Sequence, residues 1–184
     1  MTYGIYQRIA PRVNVLNGYW GNEPFSRKFS APVTSGVTIR SGQVISLTSG
    51  AWVLGCSAGK EPFIAFHDST DTDVTSSGKL LGLSCAGQYE IETQWFDNTA
   101  TYAESSPLVA ATGGSSTSNI TPLVAALGAI GLGTLATAED TIGFAKNGGR
   151  QDLANFNSEA APVNGHLYVL RFMTQWLPRA TTSS

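Results

Sequence analysis

The stretch QYEIETQWF, residues Gln88–Phe96, decides the fold of this chain. Its even-numbered positions from 88 to 94 hold Gln or Glu, and Tyr89, Ile91, Thr93 and Trp95 alternate with them. Successive side chains of a β-strand point to opposite faces, so this period of two places one set in a core and the other in solvent. The pattern is typical of an antiparallel sheet that is covered on one side.

Short β-prone runs lie on both sides of this stretch and are separated by turn residues. Ser49-Gly50 lies between two such runs and predicts a tight hairpin, because glycine readily adopts the positive φ angles of two-residue turns. Many short strands with frequent turns predict an all-β fold, an antiparallel barrel or sandwich. The predicted strands, besides Gln88–Phe96, are Val37–Arg40, Gln43–Thr48, Ala51–Cys56, Phe63–Phe66, Lys79–Ser84, Leu108–Ala111, Thr141–Ala145 and Gly165–Trp176.

Three further segments carry separate predictions. His67–Gly78, HDSTDTDVTSSG, is polar and is predicted to be a loop. Leu123–Leu135 is apolar and rich in glycine, and it fits either a short interrupted helix or two strands joined at Gly131–Gly133. The last predicted strand, Gly165–Trp176, is apolar on both faces, so we expect it in the centre of a sheet or at an interface.

The chain divides into three predicted parts: an extended N-terminal arm over residues 1–36, a body over 37–177 and a flexible C-terminal tail over 178–184. The arm contains three prolines and shows neither a helical period nor a sustained strand period. Its aromatic side chains are costly to leave in water, so we expect the arm to lie on a partner or on its own body. The arm residues expected to contact a partner are Tyr3, Tyr6, Arg8, Arg12, Tyr19, Trp20, Phe25, Arg27 and Phe29.

Charge is distributed unevenly along the chain. Residues 1–40 carry five basic residues and one acidic residue, a net charge of +4, and the remainder carries six basic and twelve acidic residues, a net charge of −6. A basic arm before an acidic body suits docking on an acidic partner, although scattered solvated charges would give the same count. Charged residues make up only 13% of the chain, and so weakly charged a surface is suited to packing in a lattice.

The sequence does not predict a membrane or nucleic-acid partner. Met1–Ile9 lacks the apolar segment of a secretory signal, and the apolar stretch Pro122–Ala138 is interrupted by three glycines, so we expect no membrane span. The isoelectric point of about 5.6 does not fit a nucleic-acid-binding domain. Cys56 and Cys85 lack metal-site spacing, and we expect them to be buried free thiols.

No group of residues predicts catalysis. Motifs for nucleotide binding and for a serine nucleophile are absent from the sequence. Glu90 and Glu92 share a strand face, as the carboxylates of a glycosidase would, but their glutamine neighbours indicate an ordinary wet face. Asp71 and Asp73 near His67 could offer oxygens to Ca²⁺, but the loop lacks the order of an EF-hand. We therefore expect no enzymatic activity, no cofactor and no metal.

The middle of the chain resembles a known family. Residues 41–59, SGQVISLTSGAWVLGCSAG, are followed by GKLLGLSCAGQYEIETQWFD at 78–97, and then by Tyr102 and SPLVA at 106–110. This succession, over roughly residues 36–111, resembles the capsid decoration proteins, or cement proteins, of tailed bacteriophages. The resemblance rests on hydrophobic and turn residues.

The resemblance implies a β-tulip or jelly-roll-like barrel on the outer surface of a virion, made in the host cytoplasm. It implies binding to the phage major capsid protein, with the arm reaching onto that protein, and a homo-oligomer, a trimer or alternatively a dimer. Such proteins bridge neighbouring capsomers and stabilise the capsid. The alternative function is another virion surface module, such as a head-fibre base, a tail component or a receptor-binding domain.

Overall fold

The protein is described by a computed structural model that covers residues 14–18, 27–57, 59–87, 89–93, 95–96, 102–110, 128, 130–133, 140–146 and 170–178, with the backbone alone at 14–18 and 131–132. The described part contains eleven strands and one helix, α1 (Thr72–Ser77). The strands are β1 (Asn14–Gly18), β2 (Lys28–Ala31), β3 (Val44–Thr48), β4 (Ala51–Leu54), β5 (Pro62–Ala65), β6 (Leu80–Ser84), β7 (Tyr89–Thr93), β8 (Pro107–Ala110), β9 (Ile130–Leu132), β10 (Thr141–Ala145) and β11 (Leu170–Leu177).

The strands form two antiparallel sheets. The six-stranded sheet has the order β1-β7-β11-β10-β8-β9, and the five-stranded sheet has the order β2-β6-β5-β3-β4. Every pairing between neighbouring strands in these sheets is antiparallel. The prediction of an all-β, antiparallel fold is therefore confirmed.

The main core lies between the two sheets. Val44, Ile64 and Leu83 of the five-stranded sheet are buried in one cluster with Ile91 and Phe172 of the six-stranded sheet. Because this cluster draws side chains from both sheets, the sheets pack face to face as the layers of a sandwich. Burial of this shared apolar surface is the main contribution that holds the layers together.

Strand β7 has the two faces that its alternating sequence predicts. Tyr89, Ile91 and Thr93 are buried, and Glu90 and Glu92 lie half-buried on the opposite face. Strand β11 is central, because it pairs with β7 on one side and β10 on the other. The sequence leaves open whether this strand lies in the centre of a sheet or at an interface. The described strand, Leu170–Leu177, lies in the centre.

A second core covers the other face of the five-stranded sheet. Trp52 lies at its centre with no exposed surface, and its indole Nε1 donates a hydrogen bond to the Leu80 carbonyl oxygen at 2.8 Å. Neighbouring strand residues such as Val44 and Ile45 point into different cores, so both faces of this sheet are buried at its central strands β3 and β5. The buried residues of the second core are Ala31, Ile39, Ile45, Trp52, Phe63, Ala65, Val74 and Leu80.

Two local predictions are wrong. Val37–Arg40 is not a strand: Ile39 fills the second core, and its N–H donates to Ser69 Oγ at 3.0 Å instead of joining a ladder. The predicted loop His67–Gly78 contains helix α1, which buries Val74 in the second core. Gly78, in the left-handed region at φ 66°, ends this helix.

The hairpin at Ser49-Gly50 is confirmed. Strands β3 and β4 pair from Thr48 opposite Ala51, with only these two residues between the strands. Ser49 and Gly50 have φ angles of 51° and 82°. Positive φ at both central residues is the conformation whose twist matches two paired strands.

Parts of the predicted arm are strands of these sheets. Strand β1 pairs with β7, and strand β2 pairs with β6. In these two segments the arm therefore lies on its own body, which is one of the two placements expected from the sequence. The rest of residues 1–26 and residues 179–184 lie outside the described part, so the arm boundary at 36 and the tail stay predictions.

The apolar stretch 123–135 is described only in part. Residues 130–132 form strand β9, which pairs with β8. The sequence fits either a helix or strands here, and a strand is correct for these three residues. Residues 123–127 lie outside the described part of the chain.

Candidate partner-binding surface

Two of the nine predicted contact residues, Arg27 and Phe29, lie in the described part of the chain, and both belong to the edge of the five-stranded sheet. The other seven, Tyr3, Tyr6, Arg8, Arg12, Tyr19, Trp20 and Phe25, lie outside it. Strand β2 is the outermost strand of its sheet. We call residues Arg27–Ala31 the β2 edge.

The hydrogen-bond register of the β2 edge directs the backbone N–H and C=O groups of two residues away from the sheet. Ser84 N donates to the Arg27 carbonyl oxygen at 2.8 Å, and Phe29 and Ala31 lie opposite Gly82 and Leu80. Because hydrogen-bonded pairs alternate along an antiparallel ladder, Arg27, Phe29 and Ala31 bond to β6. The backbone N–H and C=O groups of Lys28 and Ser30 therefore point away from the sheet.

The opposite edge of this sheet is covered by the chain itself. Trp52 N in β4 donates to the Pro32 carbonyl oxygen at 2.8 Å, and Thr34 N donates to the Trp52 carbonyl oxygen at 3.0 Å. Val33 also makes a parallel bridge with Trp52. The segment that follows β2 thus satisfies the outer backbone groups of Trp52 in β4.

One edge of the six-stranded sheet is covered in a similar way. Ile130 N in β9 donates to the Trp95 carbonyl oxygen at 2.8 Å, and Phe96 makes a parallel bridge with Ile130. Among the described residues, β1 and β2 are therefore the two edge strands that have no neighbour on their outer side. Both come from the predicted arm.

The side chains of the β2 edge are basic and aromatic. The side chain of Arg27 is 62% exposed and lies 3.6 Å from Glu61, a pair that contributes little in solvent. Lys28 is exposed. Phe29 is 47% exposed, and its ring meets Trp52 edge-on at a centroid distance of 6.0 Å.

The sequence contains a signal for this edge strand that the arm prediction does not use. Residues 28–31, KFSA, alternate polar and apolar side chains and are followed by Pro32. Proline cannot donate to a ladder and commonly lies at the edge or the end of a strand. The alternation covers only four residues, and the three-dimensional pairing with β6 is needed to distinguish it from an unpaired extended segment.

The acidic residues considered for catalysis are held in ion pairs. Glu92 Oε1 accepts hydrogen bonds from Arg171 Nη2 at 2.9 Å and from Nε at 3.2 Å, and Glu90 lies 3.8 Å from the same guanidinium. Arg171 therefore offsets part of the negative charge of Glu90 and Glu92 through cross-strand contacts.

The loop at residues 67–73 is likewise stabilised by its own contacts. Asp68 accepts from Arg40 Nη1 at 3.1 Å and from Ser41 N at 2.7 Å, and His67 lies 3.9 Å from Asp71. No cluster of three or more potential metal ligands occurs within the described ranges. These contacts fix the turn that enters helix α1.

The two cysteines are free thiols in the described structure. Cys56 is half-buried, and its Sγ donates to the Lys60 carbonyl oxygen at 3.1 Å. Burial, with a smaller contribution from the Asp140 carboxylate, raises the pKa of the Cys56 thiol from 9.0 to about 11. Complete burial raises the pKa of the Cys85 thiol well above its usual range.

We expect both thiols to react slowly with iodoacetamide. The thiolate is the nucleophile, so a pKa of about 11 should make Cys56 react about two orders of magnitude more slowly at pH 8 than a cysteine of ordinary pKa. Its rate should rise as the pH rises toward 11. Mass spectrometry of the protein with and without guanidinium would measure this, and equal rates in the two states would contradict it.

The same shift predicts how stability depends on alkaline pH. The pKa of Cys56 is higher in the folded chain than in the unfolded chain, so folding favours the protonated thiol. This contribution is present below about pH 9 and is lost as the pH rises through about 11. Urea unfolding at pH 8 and pH 10.5 should therefore show a smaller pH-dependent loss in a Cys56→Ser variant than in the wild-type chain.

Within the described ranges, no helix has the length and apolar character needed to cross a membrane. Comparison of the sequence with models of known families gave no match. Comparison with curated proteins and with solved structures gave none either.

Proposed function

We propose that this chain is a structural virion protein that binds the outer surface of a phage capsid and stabilises it by bridging neighbouring capsomers. Its partners in this proposal are the phage major capsid protein and further copies of itself, as a homotrimer or a dimer. The protein would be made in the host cytoplasm and would act on the outer surface of the virion. It would work by binding alone, without catalysis, cofactor or metal.

The observation that carries the proposal is the basic, aromatic β2 edge. Arg27 and Phe29 are contact residues predicted from the sequence, and both have substantial exposed surface at the rim of the five-stranded sheet. Arginine and aromatic side chains are enriched where protein surfaces meet, because they supply large contact areas with directional interactions. An exposed edge of this kind supports binding to another protein.

The fold also supports the resemblance to decoration proteins. The resemblance covers residues 36–111, and the strands β3–β8 lie within that range. In the five-stranded sheet, the segment Pro32–Thr34 follows β2 and covers the opposite edge at β4. In the six-stranded sheet, the segment Trp95–Phe96 follows β7 and covers the edge at β9. Coverage of this kind favours the β-tulip or jelly-roll-like barrel that the resemblance implies over an open sheet.

A lattice-binding role also suits the energetics of the chain. A protein that contacts several capsomers at once converts later contacts into intramolecular ones, so individually weak contacts add to a strong hold. The low content of charged residues, 13%, limits repulsion between copies that lie close together on a shell.

Charge reversal at the β2 edge tests this proposal. We expect Lys28→Glu to weaken binding to expanded capsids of the phage that encodes the chain by about three- to tenfold, as for a charged residue at the rim of an interface. The matched control is Lys146→Glu, which makes the same charge change beside Glu104 on the other sheet. Co-sedimentation over a concentration series measures both.

The possible results separate clearly. Saturable binding of the wild-type chain that is weakened by Lys28→Glu and not by Lys146→Glu supports the proposal. Equal binding by the two variants contradicts a role for the β2 edge, and absence of wild-type binding contradicts the function. Binding of the isolated protein to host cells or glycans instead would favour the alternative, a receptor-binding module.

A further inference from the structure

We propose that the β2 edge takes up an extended segment of its partner as an additional strand, with an acidic side chain beside Lys28 and an apolar side chain beside Phe29. This inference rests on the proposed function for the identity of the partner. It rests on the described residues for the chemistry of the segment.

The backbone of the β2 edge supplies the hydrogen bonds for such a strand. Arg27, Phe29 and Ala31 bond to β6, so Lys28 and Ser30 present two N–H groups and two carbonyl groups on the outer side. An extended segment that pairs with them would continue the five-stranded sheet by one strand. Addition of a strand to a sheet edge is a general mode of peptide recognition.

The other edges in the described part of the chain are less suited to this role. The outer sides of β4 and β9 are covered at Trp52 and Ile130 by segments of the same chain. Strand β1 is irregular, because its register with β7 shifts between Val15 and Asn17. An irregularity of this kind twists an edge and interrupts its regular pairing.

The side chains define the chemistry of the segment. Along a strand, Lys28 and Ser30 lie on one face, and Arg27, Phe29 and Ala31 lie on the other. An acidic side chain directly opposite Lys28 forms a favourable cross-strand pair. An apolar side chain on the other face would cover Phe29, which is 47% exposed beside Trp52. The segment therefore alternates acidic and apolar residues.

A second copy of the same edge fits this chemistry poorly. Two β2 edges brought together would add the charges of Arg27 and Lys28 of one copy to those of the other, and residues 27–31 contain no acidic side chain to compensate them. Lysine on an edge strand is a common protection against such self-pairing. Charge complementarity therefore selects an acidic segment of another protein.

The variant Ser30→Pro tests the inference, with Ser30→Ala as its matched control. Proline removes the outward N–H and blocks an added strand, but it leaves the bonds to β6, which come from the residues on either side. We expect Ser30→Pro to weaken binding to expanded capsids by about tenfold or more, as for the loss of one or two hydrogen bonds. Ser30→Ala should bind within about twofold of the wild-type chain, because the serine side chain takes no part in the pairing.

A peptide titration makes the test independent of the capsid and of the variants. The wild-type chain is titrated with the peptide Glu-Val-Glu-Val-Glu-Val and separately with Lys-Val-Lys-Val-Lys-Val, while the backbone amides are followed by NMR. The inference predicts that the acidic peptide shifts the amide signals of Lys28 and Ser30 more than those of Phe29, and that the basic peptide does not.

Each result decides between the two proposals. If the wild-type chain binds capsids and Ser30→Pro binds as Ser30→Ala does, strand addition at the β2 edge is wrong and the capsid function stands. If the wild-type chain does not bind capsids but the acidic peptide shifts the amide signals of Lys28 and Ser30, the proposed capsid function is wrong and strand addition at the β2 edge is supported. If it binds neither, or if it self-associates through Lys28 and Ser30 instead, the inference is overturned.

Discussion

Replacement of Trp52 by alanine is expected to lower the free energy of unfolding by about 3–5 kcal/mol, the usual range for removing a large buried aromatic side chain. Trp52 has no exposed surface. It packs edge-on against Phe63 at a ring-centroid distance of 4.9 Å, and its indole N–H bonds to the Leu80 carbonyl oxygen. Urea unfolding followed by far-UV circular dichroism measures the change.

A double-mutant cycle with Gly82 provides the control for this prediction. A Cβ atom at Gly82 would lie 2.9 Å from Trp52 Cζ2 and 3.0 Å from Cη2, so Gly82→Ala alone is expected to destabilise the chain by about 1–3 kcal/mol through overpacking. Trp52→Phe removes that part of the ring and makes room for the new methyl group. The double variant should therefore lose less than the sum of the two single losses, and strict additivity would contradict the described packing.

Replacement of Gly143 by alanine is the second large effect that we expect, a loss of about 3 kcal/mol at the upper end of the range for overpacking. A Cβ atom at this position would collide with the Met173 carbonyl oxygen and would lie 2.8 Å from Phe172 Cδ2. A backbone oxygen within a ladder cannot move aside as the end of a side chain can. The strain would therefore fall on the pairing of β10 with β11, which already shifts register between Thr141 and Gly143.

Gly36→Ala is the control for this substitution. A Cβ atom at Gly36 would meet no other atom within 4 Å, and the φ angle of this residue is 78°. Alanine there meets only the conformational cost of the left-handed region, about 1 kcal/mol. Thermal and urea unfolding of the two variants should rank Gly143→Ala as clearly the less stable. A Gly143→Ala variant as stable as Gly36→Ala would show that β10 and β11 are not paired as described.

The class of fold could be predicted from the sequence because it depends on local patterns. The period of two in Gln88–Phe96 determines which side chains of β7 are buried, and Ser49-Gly50 determines the hairpin between β3 and β4. Each of these features is encoded within about ten residues. They are therefore accessible without knowledge of which strands are neighbours.

Features that depend on distant contacts could not be predicted. Val37–Arg40 has β-prone residues, but the Ile39 side chain fills the second core while its N–H donates to Ser69 Oγ, so the segment joins no ladder. Val74 is one apolar residue within the polar segment 67–78, and only the second core above Trp52 gives a reason for a helical turn there. The sequence does not predict whether β1 and β2 pair with the body, because an extended segment has the same local sequence with or without a neighbouring strand.

The candidate site could be predicted at the level of residues and not of geometry. Arg27 and Phe29 stand out because charged and aromatic residues in a proline-containing segment favour binding. Their position on an edge strand follows from the register of β2 with β6. This position also changes how the arm is best tested: deletion of residues 1–32 would remove β1 and β2, and with them two strands of the sheets, so substitutions at Lys28 and Ser30 are the sharper probes.

Electron cryomicroscopy of expanded capsids, incubated with the purified chain and compared with untreated capsids, tests the proposed capsid-binding function most directly. We expect added density on the outer surface of the shell between neighbouring capsomers, large enough for the two-sheet body, with the β2 edge against a capsid segment. Capsids that show no added density, or density only inside the shell or at the tail, would contradict it.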